Sequence, residues 1–373
     1  MSNKKVCFVN TAKVWGGGES WQLETILAFN EKVNVVSITS SKSILQSKLK
    51  SFNIENYTVK ARKFSYLNPF NFYRIYRLLK ELAPETILFN TSNDFKMFTM
   101  PAKLAGIKNI IYRRDNGRPL NTHLLNKVLL RKGITHFVPC SQYIADVALS
   151  RDSDLFPKEK IQVIYNSIDI DKWDKQLTNK EKQNEEFVFG CVGRLSEEKG
   201  VLFLPEIARK LKDKGIKFRI KLAGTGPLHS DIVDLLEKHK VSDHIELLEF
   251  REDVKAVMES IDCLLIPSHW EGLPTVAIEA MASHKPVISF QVAGNPEVVK
   301  HGETGYLVPA FDLDHFADTM QKFIENPHLV QKFGQSARKL VETVFAREVT
   351  NRQLQPVLIS TNVQHKKRNG GKV

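Results

Sequence analysis

The sequence predicts an α/β protein of two domains in tandem, each a parallel sheet with helices on both faces. Three observations lead there. Short apolar runs alternate with helical stretches from Lys5 to Leu149. The pattern then stops in a polar segment near Asp171–Glu186 and restarts at Phe187. The chain, at 373 residues, is also too long for one ordinary core.

In chain order, Lys5–Val9 reads as a buried strand, Val14–Gly18 as a glycine-rich loop, and a helix follows from about Ser20. Strand-length runs recur at Val33–Ile38, Thr86–Phe89, Asn109–Tyr112 and Thr135–Val138. Helical stretches fall at Ser43–Phe52, Pro69–Leu82 and Gln142–Leu149. After the polar segment come strands at Phe187–Val192, Phe218–Leu222, His244–Leu248, Cys263–Ile266 and Val287–Ser289, with helices at Leu202–Lys212 and His229–Lys238. Gly294–Glu297 and Gly302–Val308 read as turns. The chain divides into a first domain at 1–170, a linker at 171–186, a second domain at 187–345, and a C-terminal helix with a basic tail at 346–373. The tail Gln364–Val373 reads as lacking a packed fold.

The composition, 42% hydrophobic and 26% charged, is that of a soluble globular enzyme. No apolar run approaches the ~20 residues of a membrane span, and Val6–Val9 is too short for a signal-peptide core. Cys7, Cys140, Cys191 and Cys263 are isolated, which fits buried, reduced thiols in the cytoplasm rather than a zinc or disulfide framework. The formal charge of +12 is one-sided: residues 1–170 hold 25 Lys/Arg against 13 Asp/Glu, and the remaining 203 hold 29 of each. The two halves are therefore expected to meet different partners.

Glu271 and Glu279 are the most informative residues. Glu271 lies in the loop after the Cys263–Ile266 run, and Glu279 in the helix that Pro274 is suited to open. Two carboxylates so placed can accept from the hydroxyls of one sugar-like ligand, while the helix start attracts a phosphate. Glu279 sits among Val276, Ala277, Ile278 and Ala280, where a free carboxylate is costly and a donor partner is expected. Gly193-Arg194-Leu195-Ser196-Glu197-Glu198-Lys199-Gly200 follows the first strand of the second domain. Its Arg194 and Lys199 suit a diphosphate, or else form an ordinary solvated loop. Gly224 and Gly226 either let the backbone approach a ligand or simply make a tight turn. Gly16-Gly17-Gly18 matches neither the dinucleotide fingerprint nor a Walker loop, but bare amides there can face phosphate or sugar.

The order of these elements is distinctive. Gly16-Gly17-Gly18-Glu19, Asn166-Ser167-Ile168-Asp169, Gly193-Arg194-Leu195…Lys199-Gly200, Ala223-Gly224-Thr225-Gly226-Pro227, Glu271 with Glu279, Pro286-Val287-Ile288, Gly294-Asn295-Pro296-Glu297 and Gly305-Tyr306-Leu307-Val308 form one series. The series resembles the family 4 retaining glycosyltransferases, whose GT-B fold sets two Rossmann-like domains around a central cleft. The resemblance covers about residues 3–345 and is strongest from Phe187 to Pro309. It implies a nucleotide-diphosphate sugar donor in the second domain, UDP- or GDP-linked, with Arg194 and Lys199 on the diphosphate and Glu279 on the ribose. Glu271 would hold the donor sugar with backbone groups of Gly272, Leu273, Pro274 and Thr275, and Gly17 and Gly18 would close over the donor. Gly193, Gly224 and Gly226 would shape the donor loops. No metal and no cofactor beyond the donor substrate is implied.

Many members carry a histidine after a first-domain strand. The matching stretch here is Ile110–Arg118, so Arg113 or Arg114 stands in its place with Asp115 nearby, and His123 falls in what reads as a helix.

Between Tyr57 and Lys80 there are six cations (Lys60, Arg62, Lys63, Arg74, Arg77 and Lys80) and no acid, interleaved with aromatic residues. Such a stripe suits an anionic membrane surface or glycolipid acceptor, or else is the solvated side of a core helix. Single-stranded nucleic acid uses similar chemistry, but no nucleic-acid module accompanies the stripe. The reading is a cytoplasmic glycosyltransferase, peripheral on the inner membrane face, that builds lipopolysaccharide, capsule or exopolysaccharide. The alternatives are a GT-B nucleotide-sugar epimerase or a non-catalytic nucleotide-sugar-binding scaffold.

Overall fold

The computed structural model describes residues 4–61, 65–175 and 186–359. Arg62, Lys63, most of the expected linker and the basic tail lie outside the described residues. The first domain is a six-stranded sheet of β1 (Lys5–Asn10), β2 (Asn34–Ser40), β3 (Asn56–Val59), β4 (Thr86–Phe89), β5 (Asn109–Arg114) and β6 (His136–Pro139). The second sheet holds β7 (Val188–Val192), β8 (Arg219–Ala223), β9 (Ile245–Leu247), β10 (Cys263–Ile266), β11 (Val287–Phe290) and β12 (Gly305–Val308). The strand orders are β3-β2-β1-β4-β5-β6 and β12-β11-β10-β7-β8-β9. Every neighbour pair is parallel. Counted within its own domain, each sheet has the 3-2-1-4-5-6 order of a doubly wound dinucleotide-binding fold. That order places a switch point between β1 and β4, and another between β7 and β10.

Local chemistry sets the helix starts. Thr91, Asn68 and Ser141 cap the helices Ser92–Leu104, Pro69–Leu82 and Gln142–Leu149, each side chain accepting from a first-turn amide. Three differences from the sequence reading stand out. Strand β3 and the helix Ser92–Leu104 have no counterpart in it. Gly305–Val308 is edge strand β12 rather than a turn, and Asn295–Val298 is a short helix. The expected linker begins as the helix Ile170–Lys175.

Two connections join the domains, and they bond to each other. The Ile168 amide donates to the Phe345 carbonyl at 3.0 Å, and the Arg347 amide to the Ile168 carbonyl at 2.9 Å. Beyond this crossing the helix Arg347–Ile359 returns to the first domain. Its Leu354, Val357 and Leu358 are buried with Val6, Phe8, Ile26 and Phe29. Each such side chain stabilises the docking by about 1.5–3 kcal/mol. Another core cluster mixes Cys140 and Ile144 of the first domain with Leu273 and Ala277 of the second, so the domains meet over a packed apolar seam. All four cysteines are buried and free, and burial, against the opposing pull of Arg113 and Lys199, is the main cause that pushes the Cys140 and Cys191 thiols up to about 12.

Candidate active site

The two switch points face each other across the domain seam. From the first domain comes the loop after β1. Asn10 Oδ1 accepts from the Ala12 amide at 2.9 Å, and Asn10 Nδ2 donates to Glu19 Oε1 at 3.1 Å. The buried carboxylate of Asp94 accepts from the Thr11 amide at 3.2 Å and from the Thr11 hydroxyl. Burial raises the Asp94 pKa from its ordinary value, an effect these hydrogen bonds partly offset. Asn90, just after β4, donates to the Gly18 carbonyl at 3.2 Å. Asn10, Asn90 and Asp94 therefore fix the glycine loop. None stood out in the sequence, because each is a lone polar residue at a strand end or helix start.

Within that loop Gly17 has open space around its Cα, whereas a Cβ on Gly18 would sit 2.3 Å from Asp115 Oδ2. Gly17 lines a cavity of about 110 Å³ between the domains, together with Thr275 and Glu279. Burial pushes the Glu279 carboxyl up to about 7, with no hydrogen bond or cation countering it. The donor partner expected for Glu279 is thus not supplied by the described residues. Asn166 and Ser167 line the same cavity, as does Arg347, which pairs with Asp169 at 2.7 Å and with Glu24.

From the second domain, Lys199 Nζ lies 2.7 Å from Glu271 Oε1, and Ser268 Oγ donates to the same oxygen at 2.8 Å. Glu271 is only 7% exposed, while the Lys199 side chain stays 30% exposed, so the carboxylate is withdrawn and the ammonium still reaches solvent. Arg194 projects outward and lies 3.7 Å from Glu198, an exposed i,i+4 pair of little energetic weight. Gly224 and Gly226 have a packing reason of their own, whereas a Cβ on Gly193 would meet nothing closer than the Lys199 side chain at 3.9 Å. A Cβ on Gly224 would meet the Gly193 carbonyl oxygen at 1.8 Å, and one on Gly226 the Leu195 carbonyl oxygen at 2.3 Å. The glycines let the loops after β7 and β8 lie flat against each other.

The segment Gly272-Leu273-Pro274-Thr275 runs from Glu271 into the helix Thr275–Ala282, with Pro274 at the cap position just before its first turn. The Gly272 carbonyl accepts from Ser141 Oγ of the first domain at 2.7 Å. Nearby, Trp270 Nε1 donates to the Tyr143 hydroxyl at 2.9 Å. Glu297, from the short helix read as a turn, accepts from the Gln142 and Tyr143 amides at 2.7 Å each. A second-domain carboxylate thus caps a first-domain helix.

The structure separates the two arginines offered for the first-domain position. Arg113 is 1% exposed beneath the site, bonded to the Ile164 carbonyl at 2.8 Å and Asn166 Oδ1 at 2.6 Å, with Trp21 stacked 4.1 Å away. It supports Asn166 instead of reaching a ligand. Arg114 and Asp115 line a larger first-domain cavity that begins beside the glycine loop. His123 is exposed, directly before the helix Leu124–Val128. Of the basic stripe, Lys60, Arg74, Arg77 and Lys80 are all exposed. On the helix Pro69–Leu82, Ile75, Leu79 and Leu82 face the core, while Phe70 and Tyr73 remain 81% and 57% exposed.

Two doubly wound domains of the same strand order, meeting across a cleft with loops from both switch points, define the GT-B architecture. The structure of HepE from Anabaena in complex with UDP and glucose superposes with a TM-score of 0.80, covering 96% of this chain and all of that one at 18% identity. Residues 170–340 match the family model described as Glycosyl transferases group 1. The chain is 30% identical to the amylovoran biosynthesis glycosyltransferase AmsK of Erwinia amylovora over 54% of its own length and 51% of AmsK. It is 27% identical to the capsular polysaccharide biosynthesis glycosyltransferase CapM of Staphylococcus aureus over 74% of its length and 80% of CapM. The chain spans about half the length of AmsK and of the other first curated relatives it matches. Its second domain is thus similar to the Glycosyl transferases group 1 domain, and the whole chain has a GT-B fold.

Proposed function

We propose that this protein is a retaining glycosyltransferase that moves a sugar from a UDP- or GDP-sugar to a cell-surface glycan or glycolipid, in lipopolysaccharide, capsule or exopolysaccharide synthesis. The observation that carries this is the Lys199–Glu271 pair set across the seam from the glycine loop, with Glu279 in an adjoining interdomain cavity. AmsK and CapM are named for amylovoran and capsular polysaccharide biosynthesis, and HepE binds UDP and glucose, which supports the same class of chemistry.

In this reading Glu279 accepts from the ribose hydroxyls and Arg194 and Lys199 take the diphosphate. As the diphosphate draws Lys199 away, Glu271 is released to accept from the donor sugar's hydroxyls, with Gly272, Leu273 and Pro274 holding it in place. The anomeric C–O bond to the phosphate then breaks through an oxocarbenium-like state. The departing oxygen gains the negative charge that Arg194 and Lys199 stabilise, with no metal invoked. The acceptor hydroxyl attacks the same face of the sugar, beside Asp115 and Arg114, and its proton passes to the departing phosphate oxygen.

The acceptor side works at the inner membrane face in this reading. Phe70, Tyr73, Arg74 and Arg77 follow the three- and four-residue spacing of one outward helix stripe, which suits anionic headgroups. Vesicle flotation checks this, with anionic lipid expected to retain the protein and neutral lipid not. Among the described residues, no helix is long and apolar enough to cross a membrane.

Lys199→Ala and Glu271→Ala should each lower transfer from the nucleotide sugar that raises the melting temperature, by about a hundredfold or more, with the fold retained. Undiminished turnover in either variant would overturn the donor-site assignment.

A further inference from the structure

The first-domain loop of residues 115–118 leaves the end of β5 with little to support it. Among the described residues, no backbone–backbone hydrogen bond involves Asp115, Asn116, Gly117 or Arg118. Arg114 holds the far end, donating from Nη2 to the Arg118 carbonyl. The middle is held by the second domain. A Cβ on Gly117 would lie 1.7 Å from Cζ2 and 2.4 Å from Cε2 of Trp270, so the indole lies directly on the glycine. Gly117 does not adopt a left-handed φ, and the ring rather than the backbone therefore demands glycine here. Beside it, a Cβ on Gly272 would lie 3.0 Å from the Asp115 carbonyl oxygen.

The segment 270–272 has no room to retreat into its own domain. The Gly294 amide donates to the Glu271 carbonyl at 2.9 Å, and a Cβ on Gly294 would lie 2.2 Å from the Gly272 carbonyl oxygen. Trp270 is tied by its bond to the Tyr143 hydroxyl, with the two rings 6.4 Å apart. Gly294 thus backs one side of the segment, and the first-domain loop faces the other. That loop in turn reaches the glycine loop, since Asp115 Oδ2 fills the space where a Cβ on Gly18 would stand. Glu271, Trp270, Gly117, Asp115 and Gly18 form one line of contact across the seam. Tightly packed contacts shift between discrete arrangements instead of yielding gradually.

We propose that Trp270 is a positioning residue through which a sugar on Glu271 closes the glycine loop, so that the protein grips a loaded nucleotide sugar and releases the spent nucleoside diphosphate. This rests on the transferase reading above, which puts the donor sugar on Glu271. When Glu271, freed of Lys199, turns to the sugar hydroxyls, the segment 270–272 moves with it. Gly294 blocks one direction, so the movement is delivered to Gly117 and Asp115, and Asp115 passes it to Gly18. A nucleoside diphosphate brings no sugar to Glu271 and leaves this line at rest.

The test is calorimetric titration of the full chain with UDP, GDP, UDP-glucose, UDP-galactose, UDP-N-acetylglucosamine and GDP-mannose. The quantity read is the gain in affinity that a sugar adds over its own bare nucleotide. Gly117→Ala, which drives a methyl into the indole, and Trp270→Ala should each cut that gain about tenfold. Affinity for the bare nucleotide, which reports a folded donor domain, should change by less than about twofold. In the Trp270→Ala background, Gly117→Ala should have no further effect, because the ring that it meets is gone. Additive losses, an undiminished gain in either variant, or equal losses for nucleotide and nucleotide sugar would overturn the inference. If the sugar's gain survives both substitutions, this inference alone falls and the transferase reading stands. If none of these ligands binds the native chain, the transferase reading falls and takes this inference with it.

Discussion

Glu279 shows how much one side chain's surroundings decide. Its carboxyl is pushed from the ordinary 4.5 up to about 7 by burial. Between those values the folded protein holds more protons than the unfolded chain, so stability falls as pH rises from about 4.5 through about 7 and then levels off. The loss amounts to at most about 3 kcal/mol. Thermal unfolding of Glu279→Gln should therefore show a higher melting temperature than the native chain at pH 8 and a similar one near pH 4.5. Parallel curves across that range would contradict the assignment. Donor affinity should run the other way, strengthening above pH 7 as the carboxylate forms to accept from ribose. Lys199 and Glu271 were visible in the sequence as separate motifs, but their 2.7 Å contact was not, since they stand 72 positions apart.

At the scale of elements, β12 illustrates why a short strand is hard to read. It has four residues, opens with glycine, and follows the turn-forming Gly302-Glu303-Thr304, so local signals favour a loop. Its pairing with β11 makes it a strand, and the close approach explains the glycine: a Cβ on Gly305 would lie 1.9 Å from the Val287 carbonyl oxygen. Gly305→Ala should cost about 1–3 kcal/mol, read as a lower midpoint in urea unfolding. An unchanged midpoint would mean that the edge strand shifts freely. The helix Ser92–Leu104 escaped notice for another reason. Its polar start and internal Pro101 break the apolar period, yet tertiary packing buries Phe95, Phe98 and Ala102.

The molecule as a whole is held closed by contacts between its two domains. Glu297 bonds both leading amides of the helix Gln142–Leu149, Ser141 bonds Gly272, and Trp270 bonds Tyr143. Charge-assisted bonds at a helix start are worth about 1–2 kcal/mol here, roughly a tenfold shift in an open–closed equilibrium. Glu297→Gln should therefore raise the radius of gyration in solution scattering and weaken donor binding about tenfold, with the melting temperature of each domain little changed. A compact variant with unaltered donor affinity would show that the clasp does not govern closure.

By itself the sequence determined the two-domain α/β plan, because alternating apolar periods and glycine-bearing strand exits are local properties of the chain. It also placed Glu271, Glu279, Arg194 and Lys199 at strand ends and helix starts, where ligands bind. Only the tertiary structure decided which of them meet. It paired Lys199 with Glu271, set Glu279 in a cavity with Gly17, buried Arg113 and left Arg114 beside Asp115. It also turned Glu297 from a turn residue into a clasp. Those outcomes depend on distances between segments far apart in the chain, and local residue patterns carry no measure of them.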